Sequence, residues 1–266
     1  TEQLATDIQA ATVLQRVEDL YRPYKQKRRT KATVAKEKGL EPLAAYLMKF
    51  AKEDIHAFAS TFISEEKGVL SSDEALAGAR DILAEQFADD AAIRDQLRKL
   101  SWREGKIESK VKDTEKDEKQ IFEMYYEYEE QVSRIVPHRI LAMNRGEKED
   151  VLRISIAVPI DKAVALMERR WIPLQSSSAA VEEVKLAITD SYKRLIAPSI
   201  ERELRTELSE KAEAQAIHIF AENLRNLLLQ PPMRGKMVLG VDPAYRTGCK
   251  LAVIDETGKL IEVTAI

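Results

Sequence analysis

Apolar residues recur at helical spacing along most of the chain. Leu4, Ile8, Ala11, Val17 and Leu20 form one stripe and predict a first helix that stops near Pro23. Lys31 to Lys38 reads as a short helical segment closed by Gly39, and Glu41 with Pro42 opens the next, through about Phe50. Ser71 with Glu74 forms a capping box ahead of Leu76, Ala79, Leu83 and Phe87, and Asp89 to Leu100 predicts another helix with Ile93, Leu97 and Leu100 inward. Lys106 to Lys119 is nearly all polar and reads as a connector or a solvated helix start, hence a boundary. Ile121, Tyr125, Tyr128, Val132 and Ile135 then predict one long helix ending near Asn144 and Gly146. Val151 to Val158 alternates weakly, as a lone strand would, and Asp161 to Trp171 returns to helix. Val181, Val184, Ile188, Tyr192 and Leu195 mark a helix ending before Pro198. From Ser199 to Leu229 the spacing of Ile200, Leu204, Leu208, Ala212, Ile219, Leu224 and Leu228 predicts a single helix of about thirty residues, roughly 45 Å long. Pro231 and Pro232 end it, and such a helix is expected to fasten the helical part to the carboxy-terminal segment.

After that helix the period changes. Met237 to Val241 is a short apolar run of strand type ending on Asp242; Pro243 and Ala244 break it, Gly248 closes a turn, and Cys249 to Ile254 runs back. Asp255 to Gly258 reads as a hairpin turn into Lys259 to Ile266, where Ile261, Val263 and Ala265 alternate with polar neighbours. The pattern predicts a three-stranded meander with one carboxylate at the end of its first strand.

Composition narrows the class. With 33% charged residues, nine glycines and nine prolines, the chain is a globular, helix-rich protein and not a disordered one. Its single cysteine, Cys249, excludes an internal disulfide framework and fits a reducing cytosol. No apolar run approaches the length of a membrane span and no signal-peptide pattern is present, so a cytoplasmic location without a membrane partner is expected. The chain starts inside a helical pattern and stops in a strand, and both ends read as cuts. The net charge of -3 hides segregation. Arg22 to Lys38 carries eight basic residues against Glu37 alone, and Asp113 to Glu130 carries eight acids against Lys116 and Lys119.

Two stretches resemble a known family. LGVDPAYRTG, followed by an apolar strand and DETGKL, is similar to the start of a YqgF-type RNase H-like domain, and VEDLYRPYKQKRRTKATVAKEKGLEPL, from Val17 to Leu43, resembles the amino-terminal region of the Tex family of bacterial transcription accessory proteins. The resemblance runs the length of the chain but covers only part of a family member. Such proteins are expected to begin earlier and to continue through the rest of the RNase H-like domain, a helix-hairpin-helix region and an S1 RNA-binding domain. It implies a mainly α fold: a multi-helical region with a helix-turn-helix-like bundle, over 1–115, a central helical region over 116–235, and the first three strands of an α/β RNase H-like domain over 236–266.

Nuclease chemistry of the RNase H kind needs converging carboxylates around two metal ions about 4 Å apart. The chain offers Asp242 at the expected place; Asp255 is better explained by turn chemistry, and further acids of the pattern would lie beyond Ile266. No catalytic set, metal site or cofactor is therefore expected, and the resemblance implies the same, since Tex-type domains are generally regarded as lacking the full set. Ala244 stands where many relatives have glycine, which puts close approach of a phosphate there in doubt. His56, His138 and His218 have no metal-ligand spacing with Cys249, which reads as a small buried hydrophobe, and His218 reads as packed or partly exposed.

The basic run is the strongest local signal. Arg22, Lys25, Lys27, Arg28, Arg29 and Lys31 can each neutralise a phosphate, with Tyr21 and Tyr24 available to stack; the bland alternative is a solvated face neutralised by the acidic helix. Val34, Ala35, Gly39 and Leu40 have helix-turn-helix spacing, although Leu43 to Phe50 offers few side chains to read bases. Phe122, Tyr125, Tyr126 and Tyr128 read as core, because the surrounding glutamates repel phosphate. The function expected is that of a non-catalytic, RNA- or DNA-binding transcription accessory factor. The alternatives are a metal-dependent nuclease or resolvase and a scaffold docking RNA polymerase or another transcription factor.

Overall fold

A computed structural model describes residues 2–26, 28–52, 54–231, 233, 235–244 and 248–266. It divides into two compact units, Thr1–Glu213 and Ala214–Ile266. The connector expected over 106–119 lies well inside the first.

The first unit opens with α1 (Glu2–Gln9) and α2 (Leu14–Tyr21), two helices where one stripe predicts a single helix. The ladder stops at Ala10 and Ala11 and restarts after Val13, whose backbone is extended. A 3-10 turn, Arg22–Tyr24, carries Pro23 at its start, where a missing N–H costs little. α3 (Lys31–Glu37) is capped by Thr30, whose hydroxyl accepts from the Thr33 backbone, and Gly39 then takes φ +82 before α4 (Glu41–Leu47). α5 (Ile55–Ser60) follows, and then α6 (Ser72–Ala88), the central helix of the bundle. Ser71 accepts from Glu74 N–H as the capping box requires, but Glu74 reaches back to Leu70 N–H and not to the cap itself. Around α6, the residues Leu43, Leu47, Leu76, Ile82, Leu83 and Ile188 are at most 1% exposed and form the core. α7 (Ala91–Glu104) is capped by Asp90.

Next comes the largest departure from the sequence pattern. Lys106 to Lys119 is no connector: β1 (Lys106–Val111) is the middle strand of a three-stranded antiparallel sheet ordered β2-β1-β3. Ile107 and Ser109 face the core, and Lys106, Glu108 and Lys110 face out. The long helix expected from Ile121 is absent. Its residues form a turn containing a 3-10 segment, then β2 (Glu127–Gln131), and helix resumes only at α8 (Pro137–Lys148). β3 (Leu152–Ala157) is not a lone strand but pairs with β1 in register Ile107↔Ile156. Two outer N–H groups of β3 are covered: Ile156 donates to Glu201 and Ile154 to Glu147.

Asp117 organises the turn before β2, accepting from the N–H groups of Ile121 and Phe122, each at 2.8 Å, and from the Tyr126 hydroxyl at 3.0 Å. Loss of solvent raises its pKa, but those donors, Phe122 N–H foremost, outweigh it and the net shift is downward. Its stabilisation is therefore present above the unfolded carboxylate value and is lost as pH falls through the lower folded one. Asp117→Asn should be less stable than the parent at neutral pH and should lose stability less steeply on acidification, as compared by denaturant titration at about pH 7 and about pH 3.

α9 (Ile160–Trp171) and α10 (Ala180–Asp190) complete the packing around α6 and α7. Pro198 does not end a helix as expected. Ser191–Ile196 is π-helical, with Ala197 N–H donating five residues back to Tyr192, and α11 (Ala197–Leu228) continues from it for 32 residues. Re-spacing the ladder one turn ahead accommodates a residue without an N–H. Ser199, Ile200, Leu204, Leu208 and Ala212 are the buried positions of α11, all within the first unit.

In the second unit, β4 (Val238–Asp242), β5 (Lys250–Ile254) and β6 (Leu260–Ala265) form the expected meander, ordered β4-β5-β6. Gly248 sits at φ +75, and a Cβ there would lie 2.0 Å from the carbonyl oxygen of Ile266. Asp255 accepts from the N–H groups of Thr257 and Lys259, which is the turn role read from the sequence. Cys249 is only half-buried, less enclosed than expected, because it lies at the turn end of β5.

Candidate nucleic-acid interface

α2, the following 3-10 turn and α3 bring the basic run to the surface. Tyr21 and Tyr24 are 54% and 60% exposed, so their rings are open to stacking. Lys25, Arg28 and Lys31 are exposed and make no ion pair among the described residues. Arg29 pairs with Glu37 at 3.3 Å, with both side chains largely solvated, an interaction worth little and easily exchanged. Lys27 lies outside the described residues.

Arg22 differs from the rest. Its Nε lies 3.4 Å from the Asp89 carboxylate without forming a hydrogen bond, and burial, then the neighbouring Arg94, lowers its pKa. It is a root of the segment more than a free cation. Beneath it, Asp19 accepts from Arg94 Nε at 2.9 Å and from Arg98 Nη2 at 2.8 Å. Glu203 closes the ring, accepting from Arg94 Nη2 at 2.6 Å and from Arg98 Nε at 3.0 Å, and Ser199 Oγ accepts a further bond from Arg94. This ring fixes α2 against α7 and α11. No local sequence signal could have found it, since partners are separated by up to 109 residues.

Beside α3, a groove of about 780 Å³ is lined by Arg29, Thr30, Lys31, Lys38, Glu74 and Asp81, among others. Lys38 is committed there, donating to Gly68 O at 2.7 Å. The acidic stretch does not neutralise this surface: the ion pairs of Glu129, Glu130 and Asp113 go to Lys106, Arg139 and Lys116. Phe122 and Tyr125 are buried, and Tyr125 and Tyr128 meet edge to face at 5.5 Å, so this aromatic cluster is core. α4 turns Leu43, Ala44 and Leu47 inward and leaves Glu41, Pro42 and Ala45 outside, a face with little capacity to read base edges.

Asp242 ends β4 opposite Lys250. Among the described residues no group of three or more His, Cys, Asp or Glu is placed to hold a metal. His218 is exposed, 3.6 Å from Glu222. No described helix is long and apolar enough to cross a membrane.

Comparison with known proteins adds a family. A model described as Tex central region-like matches residues 51–220, and one for the Tex protein YqgF-like domain matches residues 236–266. The chain is 56% identical along its whole length to uncharacterized protein YdcI of Bacillus subtilis, covering 37% of that protein, and 35% identical to Protein tex of Bordetella pertussis, covering 35%. It is 33% identical over 94% of its length to human S1 RNA-binding domain-containing protein 1, covering 26% of it. The chain thus spans about a third or less of the length of these curated relatives.

Proposed function

The chain belongs to the Tex family, and on that premise we propose that it supplies a non-catalytic nucleic-acid-binding surface to a transcription accessory factor, with Lys25, Arg28, Arg29 and Lys31 facing phosphate and Arg22 anchoring the segment. The observation that carries this reading is the set of exposed Lys25, Arg28 and Lys31, without an ion pair among the described residues, beside exposed Tyr21 and Tyr24 on a segment rooted by a buried ion-pair ring. Cations already paired internally would have to exchange partners before meeting a phosphate; these three do not. The name of the human relative, which refers to S1 RNA-binding, favours RNA as the first polymer to test.

Lys25→Glu, Arg28→Glu and Lys31→Glu combined should lower affinity for a single-stranded oligonucleotide more than tenfold at low salt and should reduce the slope of log K against log salt by about two. Fluorescence anisotropy across a salt series reads both. An unchanged slope with a folded variant overturns the assignment. Since no other acid among the described residues converges on Asp242, branched and hybrid substrates should stay intact with magnesium or manganese, and cleavage that Asp242→Asn abolishes would refute the non-catalytic reading.

A further inference from the structure

Away from that surface, β2 lies at the border of its sheet with β1 as its one bonded strand. Val111 N–H donates to Tyr126 O at 2.8 Å and Val132 N–H to Gly105 O at 2.9 Å, and these two bonds fix the phase of the ladder. Tyr126, Tyr128, Glu130 and Val132 turn their main-chain groups toward β1, whereas Glu127, Glu129 and Gln131 turn theirs away. The Gln131 carbonyl is used by the following turn, accepting from Arg134 and Ile135 N–H. The N–H and C=O of Glu127 and Glu129 and the N–H of Gln131 have no partner among the described residues.

Proteins usually blunt such a border with proline, a bulge or covering side chains. Two amides of β3, on the opposite border, are covered by glutamates. β2 contains no proline, its register with β1 runs unbroken from Glu127 to Gln131, and Glu127 and Glu129 are exposed. Charge is its guard, and charge also selects. Glu127 makes no ion pair among the described residues, and Glu129 holds Lys106 in a pair about half exposed on both sides, which is easily exchanged. Both carboxylates stand on the outer face of the sheet, since Tyr128 and Glu130 alternate with them on the half-buried face. Phosphate is repelled there, while a polypeptide with a cation at every second residue is attracted.

We propose that β2 is a strand-addition site for an extended basic segment of a partner protein, whose main chain pairs with Glu127, Glu129 and Gln131 and whose lysines or arginines lie opposite the two glutamates. The site is separate from the phosphate-facing surface and does not depend on it.

The test uses a fluorescently labelled heptapeptide of alternating lysine and threonine, titrated with the chain at low salt and followed by anisotropy. The parent should bind it saturably. The same peptide N-methylated at its lysine amides keeps every charge but loses the donors that face β2, and should bind at least about tenfold more weakly. Glu129→Pro removes an N–H that faces away from β1, so the ladder survives, and peptide binding should fall at least about fivefold. Glu127→Lys combined with Glu129→Lys should weaken binding about tenfold or more, and should admit a peptide with glutamate in place of lysine that the parent rejects. Thermal unfolding checks that each variant folds, and the methylated and unmethylated peptides decide the matter on the parent alone. Equal affinity for those two peptides would mean charge attraction without strand pairing and overturns the proposal. So does a parent that shows no saturable binding at about 1 mM peptide, or a folded Glu129→Pro that binds as the parent does.

Discussion

Asp19→Ala is expected to destabilise the first unit by about 3–5 kcal/mol, the usual cost of removing one partner from a buried ion pair. Arg94 is fully buried and the Asp19 side chain is 2% exposed, so no solvent takes over when the carboxylate goes. Two guanidinium groups lose an acceptor at once. The sign reverses when the charge leaves with its partner: Asp19→Leu combined with Arg94→Met should recover most of the loss, because Arg98 and Glu203 remain as a neutral pair. Denaturant unfolding of the single and double variants forms the cycle. If Asp19→Ala costs less than about 1 kcal/mol, the ring does not hold α2 in place.

Phe87→Ala should be almost as damaging. Phe87 is 2% exposed and stacks on Trp171 with ring centroids 4.3 Å apart, joining α6 to the end of α9. Emptying that place costs about 3–5 kcal/mol through lost transfer energy and the cavity left behind. For a unit of this size that is a fall in Tm of roughly 6–20 °C by differential scanning calorimetry. Phe87→Leu keeps most of the volume and should recover more than half of the loss. A Phe87→Ala protein that melts within about 2 °C of the parent would place the main packing between these helices elsewhere.

Most helices around α6 were legible because each is written locally, although α5 was not predicted. Thr30, Ser71 and Asp90 accept from N–H groups at helix starts, Gly39 takes a positive φ, and the apolar spacing of Leu76, Ala79 and Leu83 faces one way. The meander was legible for the same reason, its turns being specified by Gly248, Asp255 and Gly258. The β2-β1-β3 sheet was not. β1 alternates strictly, but its inward residues are one isoleucine and one serine, and Ser109 is acceptable there only because its hydroxyl donates to Tyr125 O at 2.6 Å. That partner belongs to another element. Tyr125, Tyr128 and Val132 fit a helical period by coincidence, while the pairing of Glu127 to Gln131 with Lys106 to Lys110 holds Tyr128 in a strand. At the candidate site the run of cations was visible in sequence; which of them are internally committed was not, because Asp89 and Gly68 are distant in the chain.

The two glutamates along β3 have a bearing on self-association. A strand at a sheet margin offers free amides to any neighbouring chain and so invites edge-to-edge growth. Here Glu147 and Glu201 occupy the amides of Ile154 and Ile156, and Arg205 reaches the Ile154 carbonyl, so an incoming strand finds the middle of that margin already bonded. Recruitment is left to β2, where Glu127, Glu129 and Glu130 would set like charges against an identical copy. The sheet is thereby protected from templating copies of itself in a crowded solution.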